Sequence, residues 1–113
     1  QREVYDVVLG AQKAAIAKVK PGVTLEELTA TAREYMERHG GLGKYLTHGI
    51  SHHLGLEVHD AADNAARLAE GMVITIEPGI YIPEEKLGVR IEDVAAVTAE
   101  GARVLTSALP NEP

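Results

Sequence analysis

Cysteine is absent from the 113 residues, so disulfides, thiolate metal sites and a cysteine nucleophile are excluded, while the redox compartment stays unread. No apolar run approaches the ~20 residues that cross a bilayer as a helix. The start, Gln1, Arg2 and Glu3, has no signal-peptide character. A soluble, cytoplasmic chain with no membrane partner is expected. Positive charge is also short. Eleven Lys and Arg stand against seventeen Asp and Glu, for a formal net charge of -6, and no basic patch stands out. Nucleic acid, which needs a positive footprint, is not an expected partner. An initiating Met, an internal repeat and low-complexity stretches are missing too; the first of these suggests a piece of something longer.

What is present suits a folded domain. Hydrophobic residues make up 45% and charged residues 25% of the chain, ordinary values for a globular protein. A chain of this size buries about two-thirds of its unfolded surface, enough for one core. A single domain over residues 1–113 is expected.

From Arg2 to Lys20, Val4, Val8, Ala11, Ala15 and Val19 recur at three and four, the stripe of an amphipathic helix that Pro21 and Gly22 stop. A second helix opens on a capping box, Thr24 as N-cap with Glu27 three residues on, and Val23 placed to staple against Leu28. Its stripe is Leu25, Leu28, Ala32, Tyr35 and Met36, and Gly40 with Gly41 ends it. The next thirty residues, rich in Gly and His, read as short strand and turn. A strand from Met72 to Ile82, a loop Pro83–Lys86 and a strand from Leu87 to Thr98 then make a β-hairpin, with a short strand from Arg103 to Thr106 behind it and a frayed tail over Pro110–Pro113. The fold class is α+β, helices first and strands after.

If the hairpin turns between Glu84 and Glu85, position 77 faces position 92. One face then carries Met72, Ile74, Ile76 and Ile80 with Val89, Ile91, Ala95 and Val97, a core face at period two. The other presents Thr75 and Glu77 against Val94, Glu92 and Arg90. Two Glu side chains thus stand opposite one another with Cβ atoms about 5 Å apart, a pairing that like charge disfavours. A shared proton, an Arg or a bound cation can neutralise them; Arg90, two residues from Glu92, offers a plain ion pair.

A His cluster lies nearby in sequence: His48, His52, His53 and His59 fall within twelve residues of a chain that has five His in all. His48 and His52 are spaced i, i+4, but Gly49 stands where a helical zinc protease needs a Glu base, and Gly49 with Gly55 argues against a helix. His39 ends a helix, where it complements the dipole, and carries no chemistry here. Taken with Glu77 and Glu92, the cluster points to a mixed imidazole and carboxylate site, which suits Mn, Fe, Co or Zn better than Ca or Mg.

The runs THGISHHLGLEVHD (47–60), EGMVITIEPGIYIP (70–83) and GVRIEDVAAVT (88–98), in that order and spacing, resemble the aminopeptidase P and prolidase branch of the pita-bread metallopeptidases, and are more similar to aminopeptidase P. The resemblance extends over the whole chain. It implies an α+β half of a pita-bread fold, two helices packed on a mainly antiparallel β-sheet, representing the C-terminal half of the catalytic domain. It also implies a divalent metal centre, two Mn2+ in the family's usual form with Co, Zn or Fe as other possibilities, held by two Asp, one His and two Glu. The His matches His52 and the two Glu match Glu77 and Glu92. His48 and His59 match residues that contact substrate and help move protons, and Arg90 matches an Arg that supports the centre from behind. The activity implied is hydrolysis of the bond before proline at a peptide's N-terminus, so the implied partner is a peptide with proline second. Glu77 would accept and donate the proton while the two cations activate water and polarise the carbonyl. Only unprotonated imidazole ligates, so metal binding is expected to weaken in acid.

The family's two Asp ligands lie on a hairpin before the helix with which this chain opens, and none of Asp6, Asp60, Asp63 or Asp93 matches them. The isolated chain is therefore expected to be inactive, its parent being the catalyst once the N-terminal half of the catalytic domain joins it. A non-catalytic peptide-binding relative, or a half-domain that pairs with a second copy as a homodimer, are the alternatives.

Overall fold

The computed structural model describes residues 2–54 and 67–106. Helix α1 (Arg2–Lys18) and helix α2 (Leu25–Arg38) lie side by side. The expected stripes are the buried ones: Val4, Val8, Ala11 and Ala15 of α1, Val19 just beyond it, and Leu25, Leu28, Ala32 and Met36 of α2. Glu3 in the first turn and Lys18 in the last complement the α1 dipole. At Gly10, a Cβ would stand 2.1 Å from the Tyr35 hydroxyl oxygen, so the missing side chain is what lets α2 approach α1.

The capping box at α2 is complete. Thr24 Oγ1 accepts from the Glu27 N–H at 3.1 Å, and Glu27 Oε1 accepts from the Thr24 N–H at 2.8 Å. That backbone donor holds the Glu27 carboxyl below its ordinary range. Gly22, at φ +96°, makes the reversal between the helices and donates to the Leu68 carbonyl at 2.9 Å.

The hairpin forms in the expected register, but as two short ladders. Strand β1 (Val73–Ile76) pairs antiparallel with β4 (Asp93–Val97), and β2 (Gly79–Ile82) with β3 (Leu87–Arg90). Both ladders share one register, so Glu77 and Glu92 fall opposite each other between them. The ladder breaks there because Pro78 has no N–H to donate; its carbonyl still accepts from Ile91 N–H at 3.2 Å. The turn is a 3-10 helix over Pro83–Glu85, closed by Lys86 at φ 51°. The last strand, β5 (Ala102–Val104), pairs with β4 and lies one residue ahead of its expected start.

The hairpin's inner face is the expected one: Ile74, Ile76, Ile80, Ile91, Ala95 and Val97 are buried and join the helix stripes in a single core. Among the described residues, no helix is long and apolar enough to cross a membrane. The tail Pro110–Pro113 lies outside the described residues.

Candidate active site

The free edge of β1 is covered by the first part of the His-rich run. Glu77 N–H donates to the Ile50 carbonyl (2.6 Å), Thr75 N–H to the His52 carbonyl (2.8 Å), and Leu54 N–H to the Val73 carbonyl (2.9 Å), with His53 bridged to Ile74. A segment with no period of its own is therefore held along the edge of β1. This covering leaves Thr75, on the hairpin's polar face, only 1% exposed.

Four of the residues singled out from sequence meet in one chain of contacts. His52 Nε2 lies 2.8 Å from Glu77 Oε2, Arg90 Nη1 3.7 Å from Glu77 Oε1, and Arg90 Nη2 3.4 Å from His48 Nε2. Arg90 thus turns to Glu77 across the hairpin rather than to Glu92 on its own strand. Gly79 allows this, because Gly79 and Arg90 are ladder partners and a Cβ at 79 would sit 3.0 Å from Arg90 Nε. The Glu77 side chain is 14% exposed, while that of His52 is 61% exposed, so the pair stands at the surface with its carboxylate end sunk. Glu92 is exposed. His59 lies outside the described residues.

The tautomers follow from partners that can only accept. His48 Nδ1 lies 2.7 Å from the Gly49 carbonyl, so Nδ1 carries the proton and Nε2 accepts from Arg90. Both ring nitrogens of His52 face acceptors, Nδ1 the His53 carbonyl at 3.4 Å and Nε2 the Glu77 carboxylate at 2.8 Å, and the shorter contact sets the proton of the metal-free pair on Nε2. A divalent cation that displaced this proton would find the imidazole nitrogen and the carboxylate oxygen already side by side, 2.8 Å apart. This donor pair, with Glu92 opposite Glu77, fits part of a divalent metal site. Among the described residues, no three His, Asp or Glu side chains converge to hold a metal ion by themselves.

Beside the chain of contacts lies a cleft of about 340 Å³, whose lining includes Tyr45, Thr47, His48, Gly79, Tyr81 and Arg90. It gives His48 and Arg90 a space in which to meet a ligand.

Sequence reasoning missed two supports. Gln12, 2% exposed, donates from Nε2 to the Ile76 carbonyl at 3.3 Å, where the ladder breaks. Its position, four residues after Val8 on a buried stripe, was the available signal. The hydroxyls of Ser51 and Thr75 both bond the opposite strand's main chain, and no local pattern announces a pairing of residues so far apart.

The α+β half-fold thus sets an imidazole from the edge segment against a carboxylate of the hairpin. The model of metallopeptidase family M24 matches residues 1–99, and the chain belongs to that family. It is 50% identical over 111 residues to the Xaa-Pro dipeptidase of Pyrococcus furiosus, covering 94% of this chain and 31% of that protein. Among solved structures it superimposes on prolidase from P. furiosus with a TM-score of 0.81 at 49% identity, covering 94% of this chain and 32% of that one. It also superimposes on X-Pro aminopeptidase from Thermotoga maritima with a TM-score of 0.83 at 40% identity, covering 98% and 32%. The two helices and antiparallel sheets are those of these pita-bread relatives. The chain spans about a third of the length of each.

Proposed function

We propose that the protein carrying this chain is a divalent-metal-dependent exopeptidase that cleaves the bond before a proline in second position. Residues 1–113 serve as the C-terminal half of its catalytic domain. The observation that carries this reading is the approach of His52 Nε2 to Glu77 Oε2 at 2.8 Å, which sets a nitrogen and an oxygen donor side by side where one divalent cation can replace the proton between them. The likeness to Xaa-Pro dipeptidases and aminopeptidases supports the substrate class.

In this reading His52, Glu77 and Glu92 hold the metal, two Mn2+ when the other half of the domain supplies the remaining ligands. When bound, the metal supplies Lewis-acid polarisation of the scissile carbonyl and acidifies water. Glu77 takes up the proton released from water and returns it to the leaving proline nitrogen. Arg90 holds the Glu77 carboxylate in place through Oε1. His48, its Nδ1–H fixed on the Gly49 carbonyl, keeps its ring edge toward the cleft and orients the peptide there. His59 is proposed to share that task.

The test is to assay the intact protein on an Xaa-Pro dipeptide and an Xaa-Pro-Xaa tripeptide, before and after chelation and after Mn2+ is returned. Cleavage lost on chelation and restored by metal is expected, with Glu77→Gln reducing kcat by two or more orders of magnitude, roughly the 10²–10⁴ of general acid-base catalysis. Preference for the tripeptide assigns an aminopeptidase P, as the resemblance of the His-rich motif suggests; preference for the dipeptide assigns a prolidase. Metal-independent cleavage, or none on either peptide with metal bound, overturns the reading.

A further inference from the structure

In a regular antiparallel ladder, opposed residues of a closely spaced pair exchange two backbone bonds. His52 and Thr75 are such a pair, and one bond is in place: the Thr75 N–H donates to the His52 carbonyl at 2.8 Å. The reciprocal bond is replaced. The His52 N–H donates to Thr75 Oγ1 at 3.0 Å, and the Thr75 carbonyl accepts the Ser51 hydroxyl instead. The same substitution recurs two residues earlier, where the Ile50 N–H donates to Thr29 Oγ1 at 3.1 Å. Ser51 and Thr75 are 7% and 1% exposed, so water cannot stand in for either hydroxyl.

We propose that Ser51 and Thr75 are positioning residues, whose hydroxyls displace one ladder bond so that the His52 main chain stands off from β1 and its imidazole meets the Glu77 carboxylate. The inference rests on the reading of His52 and Glu77 as metal ligands and deepens it. A hydroxyl on each side of the missing bond satisfies both main-chain groups, so the distortion is stable without an orphaned donor or acceptor. The displaced strand then presents His52 Nε2 at 2.8 Å from Glu77 Oε2 while the side chain stays 61% exposed.

Two variants separate the roles. Thr75→Val keeps the shape and removes the acceptor, so the His52 amide should exchange with solvent faster. Ser51→Ala frees the Thr75 carbonyl for the ordinary ladder bond, so the His52 amide should stay protected while the ring leaves its orientation. Both should weaken Mn2+ binding by the intact protein about tenfold or more, the usual effect of losing a group that orients a ligand. Thr75→Ser should restore it.

The experiment combines calorimetric titration of Mn2+ with NMR measurement of His52 amide exchange and ring chemical shifts in the metal-free protein. Unchanged ring shifts and Mn2+ affinity in folded Thr75→Val and Ser51→Ala overturn the proposal. If Thr75→Val fails to fold, Ser51→Ala and Thr75→Ser decide it by the same readouts. If the unmodified protein binds no Mn2+, the metal reading falls, and His52 exchange and ring shifts alone decide whether the hydroxyls orient the imidazole.

Discussion

Arg90 reaches two partners at once because its neighbour across the ladder is glycine. A Cβ at position 79 would meet Arg90 Nε at 3.0 Å and the Val89 carbonyl oxygen at 3.3 Å. The guanidinium is the far end of a flexible chain and gives way, while the carbonyl must shift by a few tenths of an ångström. Gly79→Ala should therefore move Arg90 off both Glu77 and His48 at a modest cost to the β2–β3 ladder. On the intact protein, kcat/KM for an Xaa-Pro peptide should fall on the order of 100-fold, the scale expected for a misplaced positioning group, out of proportion to a small drop in melting temperature. A variant that retains its kcat/KM would show that Arg90 does not depend on the open space at 79. Of the residue-level site, the types and facing positions of Glu77 and Glu92 were legible in the sequence, because strand alternation and a central turn set them. The choice of Arg90 between the two carboxylates was not, because it depends on where a long side chain finds room.

Among the elements, the helix pair makes two predictions with signs opposed to routine expectation or dependent on pH. Replacing Gly by Ala inside an exposed helix gains about 1 kcal/mol in propensity. At Gly10 the new Cβ would stand 2.1 Å from the Tyr35 hydroxyl oxygen, and overpacking costs about 1–3 kcal/mol. The packing term wins, so Gly10→Ala should lower stability in denaturant titration; because the Tyr35 ring carbons at 2.3 and 2.5 Å clash as well, the cost should shrink in a Tyr35→Ala background, which removes the whole ring, and not in Tyr35→Phe. The capping box supplies the second. Because the Thr24 N–H holds the Glu27 carboxyl below its ordinary range, its contribution is present above the unfolded carboxylate range and is lost as pH falls through the lower folded value. The stability gap between the wild type and Glu27→Ala should close as pH is lowered, as thermal melts across that range will read. A gap that widens in acid would contradict the assignment.

For the whole molecule, the core and the site use different residues. Val8, Leu28, Met36, Ile74 and Ile76 are fully buried, whereas His52 and Glu92 are exposed. Metal should thus act on stability only through binding linkage, which adds about 2.7 kcal/mol when free ligand is 100 times Kd. Calorimetric titration should give a weaker affinity for Mn2+ in the 113-residue chain than in the intact protein, since the described part supplies His52, Glu77 and Glu92 without a closed ligand set. Equal affinities would mean that these residues hold the metal unaided.

What the sequence determined alone is whatever local geometry and burial dictate. The 3.6-residue stripes set the two helices, Thr24 and Glu27 cap the second, and period-two alternation about a central turn brings position 77 opposite 92. Tertiary structure decided the rest. Pro78 split the hairpin where the ladder needed a donor. The first part of the His-rich run, Ile50 to Leu54, with no period of its own, took its shape from the edge of β1. Gln12 found the Ile76 carbonyl 64 residues away, and Arg90 found His48 42 residues away. The physical reason is reach: backbone torsions and side-chain alternation act over a few residues and can be read in order along a chain. A contact between distant segments depends on the path of everything packed between them.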